Sequence, residues 1–403
     1  MSPPPPPSPT HLLRSHSSPL SALSFSADNE RIYSGDASGL VVITSTRTLR
    51  AMASWNAHTD SVLGVEELGD QVITHGRDNK LHVWKRAQEP QIKVGSSAAA
   101  PGLRSPTLCY SMDVNALNYC RFSLMPLPPS PPSYLKDDSV LIAFPNIVDS
   151  SLADIWALPS QRRLHAAIGS EGVASLPTPE TLADGRGPNK TGIIMSLHLF
   201  TPSSSSELRL ICAYEDGGVA LWRFSKADKE TSVEGVGWET VWRTKLHVES
   251  IMAMAVARDH KLALTVSADH LIGRYDLEAA EKPGADIQSA CVAHRTKYPG
   301  NSAIAIRDDG RVCAVGGWDG KIRLYSTRSL KPLGTLDYHK SACQSLSFAH
   351  SASTSHPRES IDDSSEDEDG MSDREISERS RWLVGGGKDN RVSIWTLMDF
   401  EKK

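Results

Sequence analysis

The chain has 403 residues, 39% of them apolar, with 28 glycines, 25 prolines and a formal charge of -5 at pH 7. That length suits two or three ordinary domains or one large all-β assembly, and the glycine and proline content supplies many turns. The slight negative charge excludes an overall attraction for nucleic acid or anionic membrane.

The amino terminus, MSPPPPPSPT, lacks the charged and apolar regions of a signal peptide, and residues 1–9 are expected to form a disordered, proline-rich tail. Cys109, Cys120, Cys212, Cys291, Cys313 and Cys343 make no C-x-x-C pair and read as small apolar side chains kept reduced. The apolar run SIMAMAVARDHKLALTV is interrupted by Arg258, Asp259, His260 and Lys261, so no membrane span is expected and the protein reads as soluble and intracellular.

From residue 38 onward the chain repeats one unit: a turn residue followed six positions later by an aromatic. In chain order the pairs are Ser38 and Thr44 (degenerate), Asp78 and Trp84, Ser150 and Trp156, Asp216 and Trp222, Asp269 and Tyr275, Asp319 and Tyr325, and Asp389 and Trp395. The third and fifth residues after each turn are Val41/Ile43, Leu81/Val83, Ala153/Ile155, Val219/Leu221, Ile272/Arg274, Ile322/Leu324 and Val392/Ile394. All but Arg274 are apolar. Such period-2 alternation marks a strand leaving a tight turn. Gly39, Gly217, Gly320, Asn79 and Asn390 follow the turn residue and tolerate the positive φ that a hairpin needs. Seven hairpins are predicted.

The turns are 40, 72, 66, 53, 50 and 70 residues apart. A unit of roughly 40–45 residues, four strands long, accounts for the shortest spacing. The longer ones carry surface insertions, with proline-rich 126–138, turn-rich 175–192 and a flexible tip at 201–206. Within the last unit, 351–380 is an acidic, disordered loop that lacks the apolar surface to fold alone. Its Asp362, Asp363, Glu366, Asp367, Glu368 and Asp369 suit either a solvated loop or a docking arm for a basic partner. Ser364 and Ser365 precede acidic residues, as an acid-directed kinase requires.

Histidines stand upstream of the turns: His16 before Ser38, His58 before Asp78, His247 before Asp269, His294 before Asp319 and His339 before Asp389. With these, the chain resembles the WD40 β-propeller family along nearly its whole length, and the expected fold is all-β, a seven-bladed propeller over residues 10–400. In that family a loop histidine, a Ser/Thr on the second strand, the turn aspartate and a third-strand tryptophan form a buried tetrad. The resemblance assigns these roles to His58, Thr74, Asp78 and Trp84, and to His247, Thr265, Asp269 and Tyr275. Asp216, Trp222, Asp319, Tyr325, His339, Asp389 and Trp395 are the partial sets, and the third and fourth units show no clear histidine. Because little chain follows Trp395, the last blade is expected to take its fourth strand from residues 11–14, burying Leu12 and Leu13.

A repeated His–Asp–Ser/Thr group invites comparison with a hydrolase triad. Here the carboxylate sits in a hairpin turn and no G-x-S-x-G nucleophile elbow is present. No second ligand lies three to five residues from these histidines, so a zinc site is not expected either. No catalytic residue, cofactor, metal or small-molecule substrate is assigned, and partners are expected to be other proteins.

HTDSVLGVEELGDQVITHGRDNKLHVWKR (58–86) and VGGGKDNRVSIWTL (384–397) resemble the ASTRA-associated protein 1 family, fungal WD40 proteins similar to the animal G-protein β-subunit-like protein 1. That resemblance implies a non-catalytic scaffold subunit of the ASTRA complex, involved in chromatin remodelling and in maturation of phosphatidylinositol-3-kinase-related kinases. Its implied partners are those kinases, AAA+ ATPases and helical-repeat co-chaperones, and its implied site is the nucleus, with the cytoplasm as a second location. The alternative is a substrate receptor of a cullin ubiquitin ligase or another generic interaction scaffold. The third-strand ends WKRA, WALP, WRFS, YDLE, YSTR and WTLM lack the Trp-Asp-x-Arg pattern usual for such a receptor. The polyproline start argues against the γ-binding helix of a heterotrimeric β subunit.

Overall fold

In a computed structural model of the chain, the described residues are 7–87, 103, 105–117, 119–170, 191–203, 205–226, 229–282, 284–351, 371–398 and 400. They form seven four-stranded sheets, the blades of an all-β, seven-bladed propeller. Blade one comprises Leu20–Phe25, Arg31–Asp36, Leu40–Ser45 and Ala51–Asn56; blade two, Val62–Leu68, Gln71–Gly76, Lys80–Lys85 and Thr107–Asp113. Blade three comprises Ser123–Pro126, Val140–Pro145, Ala153–Leu158 and Arg162–Ile168; blade four, Ile194–Phe200, Arg209–Tyr214, Gly218–Phe224 and Trp238–Lys245. Blade five comprises Ile251–Val256, Leu262–Ser267, Leu271–Asp276 and Cys291–Arg295; blade six, Asn301–Ile306, Val312–Gly317, Lys321–Ser326 and Pro332–Asp337. Blade seven comprises Cys343–Phe348, Trp382–Gly387 and Val392–Thr396, and its fourth strand is His11–Leu13.

The chain divides into two compact units, one of residues 1–74, 82–111 and 305–403, the other of 75–81 and 112–304. In the first, Leu13, Leu20, Phe25, Trp382 and Ile394 share one core cluster, while Tyr33, Val41, Trp55 and Val62 share another. In the second, Leu141, Ile155, Leu210 and Trp222 form one cluster and Ile211, Leu221, Trp242 and Tyr275 a second. Second strands are buried most completely: Arg31–Asp36, Val140–Pro145 and Trp382–Gly387 are buried at every position. A strand with a hydrogen-bonded neighbour on each side and side chains packed on both faces reads as a near-continuous apolar run.

Where such a strand touches the first strand of the following blade, there is no room for a side chain. A Cβ on Gly386 would stand 2.8 Å from Leu20 Cβ, and one on Gly35 would stand 2.7 Å from Val62 Cβ. We expect Gly386→Val to cost about 1–3 kcal/mol by overpacking. Urea unfolding that matches the wild type within about 0.5 kcal/mol would show that this contact yields freely.

Hairpin turns follow the expectation for positive φ. Gly39, Gly217 and Gly320 have φ of 88°, 90° and 79°, and Asn79 and Asn390 both have 62°. At the three glycines a second constraint applies, because a Cβ would fall on the carbonyl oxygen of His58, His247 or His339.

Several sequence expectations need correction. The closing strand is His11–Leu13 rather than 11–14. It pairs antiparallel with Val392–Thr396 in the register His11–Ile394, Leu12–Ser393, Leu13–Val392. Leu13 is buried, but Leu12 is only half-buried, because successive side chains alternate across the strand. The insertion 126–138 is not wholly superficial: Leu135, in the short 3-10 turn Ser133–Leu135, is buried in a core cluster. The acidic segment ends in order, with an α-helix at Asp373–Arg379. Ser372 and Glu375 form a reciprocal capping box, and Arg379 stacks on the Trp382 ring at 4.4 Å. The six carboxylates from Asp362 to Asp369, with Ser364 and Ser365, lie outside the described residues, as do 1–6 and most of 175–192. All six cysteines are free thiols, and only Cys109 is exposed. Among the described residues, no helix is long and apolar enough to cross a membrane.

Candidate functional site

The residues singled out by the repeat sit at the turn end of each blade, where the loop entering the first strand meets the turn between the second and third. Blade five shows the arrangement in full. His247 Nδ1 lies 3.0 Å from Asp269 Oδ2, its Nε2 lies 2.8 Å from Thr265 Oγ1, and that hydroxyl is 3.2 Å from Tyr275 Oη. A carboxylate only accepts, so Nδ1 carries the proton and donates to Asp269. Nε2 then accepts from the threonine hydroxyl, whose oxygen accepts from Tyr275. His247 is buried, and burial pushes its imidazole below its ordinary pKa against the opposing pull of Asp269. The neutral tautomer required by the hydrogen bonds is therefore also the one favoured by the surroundings.

Blade seven makes the same chain of bonds with one residue relocated. His339 Nδ1 is 3.0 Å from Asp389 Oδ1, its Nε2 is 2.8 Å from Ser393 Oγ, and Trp395 Nε1 donates to Ser393 at 2.9 Å. Here the hydroxyl comes from the third strand. Thr265 pairs across the ladder with Gly273, and Gly385 with Ser393. A Cβ on Gly385 would stand 2.6 Å from Ile322 Cδ1, so a hydroxyl on the second strand would have to displace that side chain. The ladder partner of Gly385 supplies it.

Blade two brings His58 Nε2 to 2.9 Å from Thr74 Oγ1, and Trp84 Nε1 donates to the same oxygen at 2.9 Å. Asp78 lies in the following turn and accepts from the Lys80 N–H at 3.3 Å. His82 stacks on His58 with ring centroids 4.8 Å apart and donates or accepts through Nδ1 at Ser111 Oγ, 2.7 Å away.

In the first blade the histidine's aspartate lies outside the turn. His16 bonds Asp36 Oδ2 and Ser34 Oγ, each at 2.8 Å, and Ser38 donates from its N–H and hydroxyl to Asp36. The aspartate that holds His16 is thus Asp36, the last residue of the second strand, while Ser38 keeps the turn position chosen by offset. In blade three Ser150 lies in the turn, and the preceding Asp149 accepts from Ser151 N–H and Oγ. In place of a histidine, buried Asn115 donates to Asn146 O at 2.7 Å and to Ser150 Oγ at 2.8 Å. Asn146 in turn donates to Asp154 at 2.8 Å. Nothing in the sequence pattern flagged these asparagines.

Blade four keeps the turn, with Gly218 N–H donating to Asp216 at 2.8 Å. Cys212 and Ala220 stand opposite each other where Thr265 and Gly273 stand in blade five, so no hydroxyl occupies that rung, and Trp222 is buried. In blade six, Asp319 is held by Arg323 of the next strand, at 3.1 Å from Nη1 and 2.5 Å from Nη2, and Tyr325 is buried. His294 lies instead on the fourth strand of blade five, paired with Ile272.

In blades one, five and seven both ring nitrogens of the histidine are hydrogen-bonded within the blade, so neither is free to bind a metal or to transfer a proton to a substrate. These groups fix the strands in place. A further histidine, His165, was not anticipated. Buried between Phe224 and Trp238, with Nδ1 3.0 Å from Ser232 Oγ, it is pushed by burial down to about 4. The unfolded chain protonates this group near pH 6.5, so it binds more protons than the fold and stability drops as pH falls from about 6.5 toward 4. Between pH 7.5 and 5.5 this one residue should remove roughly 1 kcal/mol. His165→Gln should flatten the loss measured by urea unfolding, and an unchanged slope would refute the assignment.

Residues 7–45 and 292–326 match the WD domain, G-beta repeat family. Over nearly its whole length the chain is also similar to curated proteins. It is 31% identical to ASTRA-associated protein 1 of Penicillium rubens (97% of this chain, 98% of that protein) and 30% identical to that of Verticillium alfalfae (97% and 93%). It is 26% identical to the mouse guanine nucleotide-binding protein subunit beta-like protein 1 (98% and 97%).

Proposed function

The chain belongs to the ASTRA-associated protein 1 family, and on that premise we infer that it is a non-catalytic WD40 scaffold subunit of an ASTRA complex. The observation that carries this reading is similarity spanning 97% of the chain, so that it takes in every blade rather than one shared repeat. The engagement of the conserved-type His, Asp and Ser/Thr groups in blade-internal hydrogen bonds supports the non-catalytic part.

In this reading the propeller joins AAA+ ATPases and helical-repeat co-chaperones in the nucleus, and contributes to chromatin remodelling and to maturation of phosphatidylinositol-3-kinase-related kinases. The tagged full chain, expressed in its own cells, should co-purify those ATPases and co-chaperones, and its depletion should lower the steady-state level of such kinases. Recovery of cullin-ligase subunits instead, with kinase levels unchanged, would replace this reading with that of a ubiquitin-ligase receptor.

A further inference from the structure

Two loops of blades two and three carry a group of exposed apolar side chains in the second unit. The loop from Val114 to Phe122 is anchored by buried Val114, Ala116, Cys120 and Phe122, yet it presents Leu117 at 70% and Tyr119 at 58% exposure. Beside it, the turn after Val140–Pro145 presents Ile147 at 56% and Val148 at 89%. The loops are tied together by Asn115, which donates to Asn146 O and Ser150 Oγ. Each asparagine also caps its own loop, Asn115 Oδ1 accepting from Leu117 N–H and Asn146 Oδ1 from Val148 N–H. Both exposed apolar residues are therefore held by buried amides, in an arrangement unlike a frayed loop tip.

Tyr119 adds two observations. Its φ is 55°, a left-handed backbone that bulky residues rarely adopt and that clusters at functional positions. The Arg77 guanidinium lies over its ring at 4.1 Å, with Nε buried and without a hydrogen-bond partner among the described residues. No carboxylate pairs with Arg77 among the described residues. Nearby Asp113 is bonded to Lys80 at 2.5 Å, and Asp149 accepts from Ser151. An uncompensated cation on an exposed aromatic, bordered by aliphatic side chains, has the composition of a binding hot spot.

We propose that Arg77, Tyr119, Leu117, Ile147 and Val148 form a docking surface for a partner protein's acidic–apolar segment. An aliphatic or aromatic side chain of that segment would pack on Leu117 and Val148, and a carboxylate would pair with Arg77. A planar guanidinium receives a carboxylate through two parallel hydrogen bonds, so charge complementarity selects an acidic partner over a basic one. The proposal rests on the scaffold reading above, and gives it a face and a partner chemistry.

The test uses the purified full chain against a phage-displayed library of random twelve-residue peptides, with selected peptides resynthesised with a fluorescent label. Peptides enriched on the wild type should combine Asp or Glu with a large apolar residue and bind at least ten-fold more weakly to Arg77→Glu and to Val148→Asp. Exchanging their acidic residue for lysine should restore binding to Arg77→Glu, a reversal that mere unfolding cannot produce. Thermal melting checks that both variants remain folded, Val148→Asp at an exposed turn residue and Arg77→Glu at a half-buried one. Failure to enrich peptides, equal binding to all variants, or binding of a single-stranded oligonucleotide in place of peptides would each overturn the proposal. None of these outcomes involves ASTRA subunits. If the wild type and both variants recover the complex equally from cells, this surface is wrong and the scaffold reading stands. If the wild type recovers no such complex yet binds acidic peptides through Arg77, the reverse holds.

Discussion

Deleting residues 2–15 is expected to destabilise the protein by about 3 kcal/mol and to make it aggregate, whereas deleting 2–8 should do neither. The longer deletion removes the fourth strand of the last blade. Burial of Leu13 alone contributes roughly 1.5–3 kcal/mol, and half-buried Leu12 contributes less. The backbone ladder to Val392, Ser393 and Ile394 also disappears, together with the Thr10 N–H to Ile394 O bond at 2.7 Å and the contact of His11 with Trp382. Val392–Thr396 would then present an unpaired edge carrying apolar side chains, a template for strand addition by another copy. The shorter deletion leaves Thr10 and everything after it intact. Melting curves and size-exclusion profiles of the two truncations check this. Equal, monomeric behaviour would show that His11–Leu13 is dispensable for the last blade.

Much of this architecture was legible because its signals are local. Period-2 alternation after a turn residue located the third strand of every blade, since the third and fifth positions after each turn share one buried face of that strand. The short remnant after Trp395 pointed to a closing strand before His16, and the chain does pair there. Features set by pairing across strands were not legible. A fixed offset of six passed over Asp36 because it ends the second strand, two residues before the turn position, and over Asp149 because the turn from Pro145 to Ala153 is longer than in the other blades. The move of the hydroxyl from Gly385 to Ser393 depends on ladder register and on Ile322 of another blade. Arg323 reaches Asp319 from four residues away along the chain, a substitution of cation for imidazole that leaves no histidine to find. The helix at Asp373–Arg379, by contrast, carried a readable Ser372/Glu375 capping signature inside a stretch whose acidity dominated the reading. The Asn115–Asn146 pair, on which the proposed docking surface rests, has no sequence signature, because either amide could have been an ordinary loop residue.

The hydrogen-bond chain of blade five sets the second large effect. Asp269→Ala should destabilise the protein by about 3 kcal/mol, while Tyr275→Phe should cost about 1 kcal/mol. Asp269 accepts from His247 Nδ1 at 3.0 Å, from the Leu271 N–H at 2.8 Å and from the Val248 N–H at 3.2 Å. Its removal leaves a buried imidazole N–H without its acceptor and releases the two backbone donors that shape the turn. Hydrogen bonds to a charged group contribute about 1.5–3 kcal/mol each, but the exposed backbone donor of Val248 recovers much of its share from water. Tyr275→Phe removes only the terminal donor to Thr265 Oγ1. That hydroxyl keeps His247 Nε2 as its acceptor, so the loss is that of one neutral bond. Asp269→Asn discriminates further, since its amide can accept from Nδ1 through oxygen but carries no charge; an intermediate loss is expected. Urea unfolding at pH 7.5, where His247 is neutral in both states, measures all three. If Asp269→Ala were no worse than Tyr275→Phe, the carboxylate would be an ordinary turn residue and the histidine would be held by packing alone.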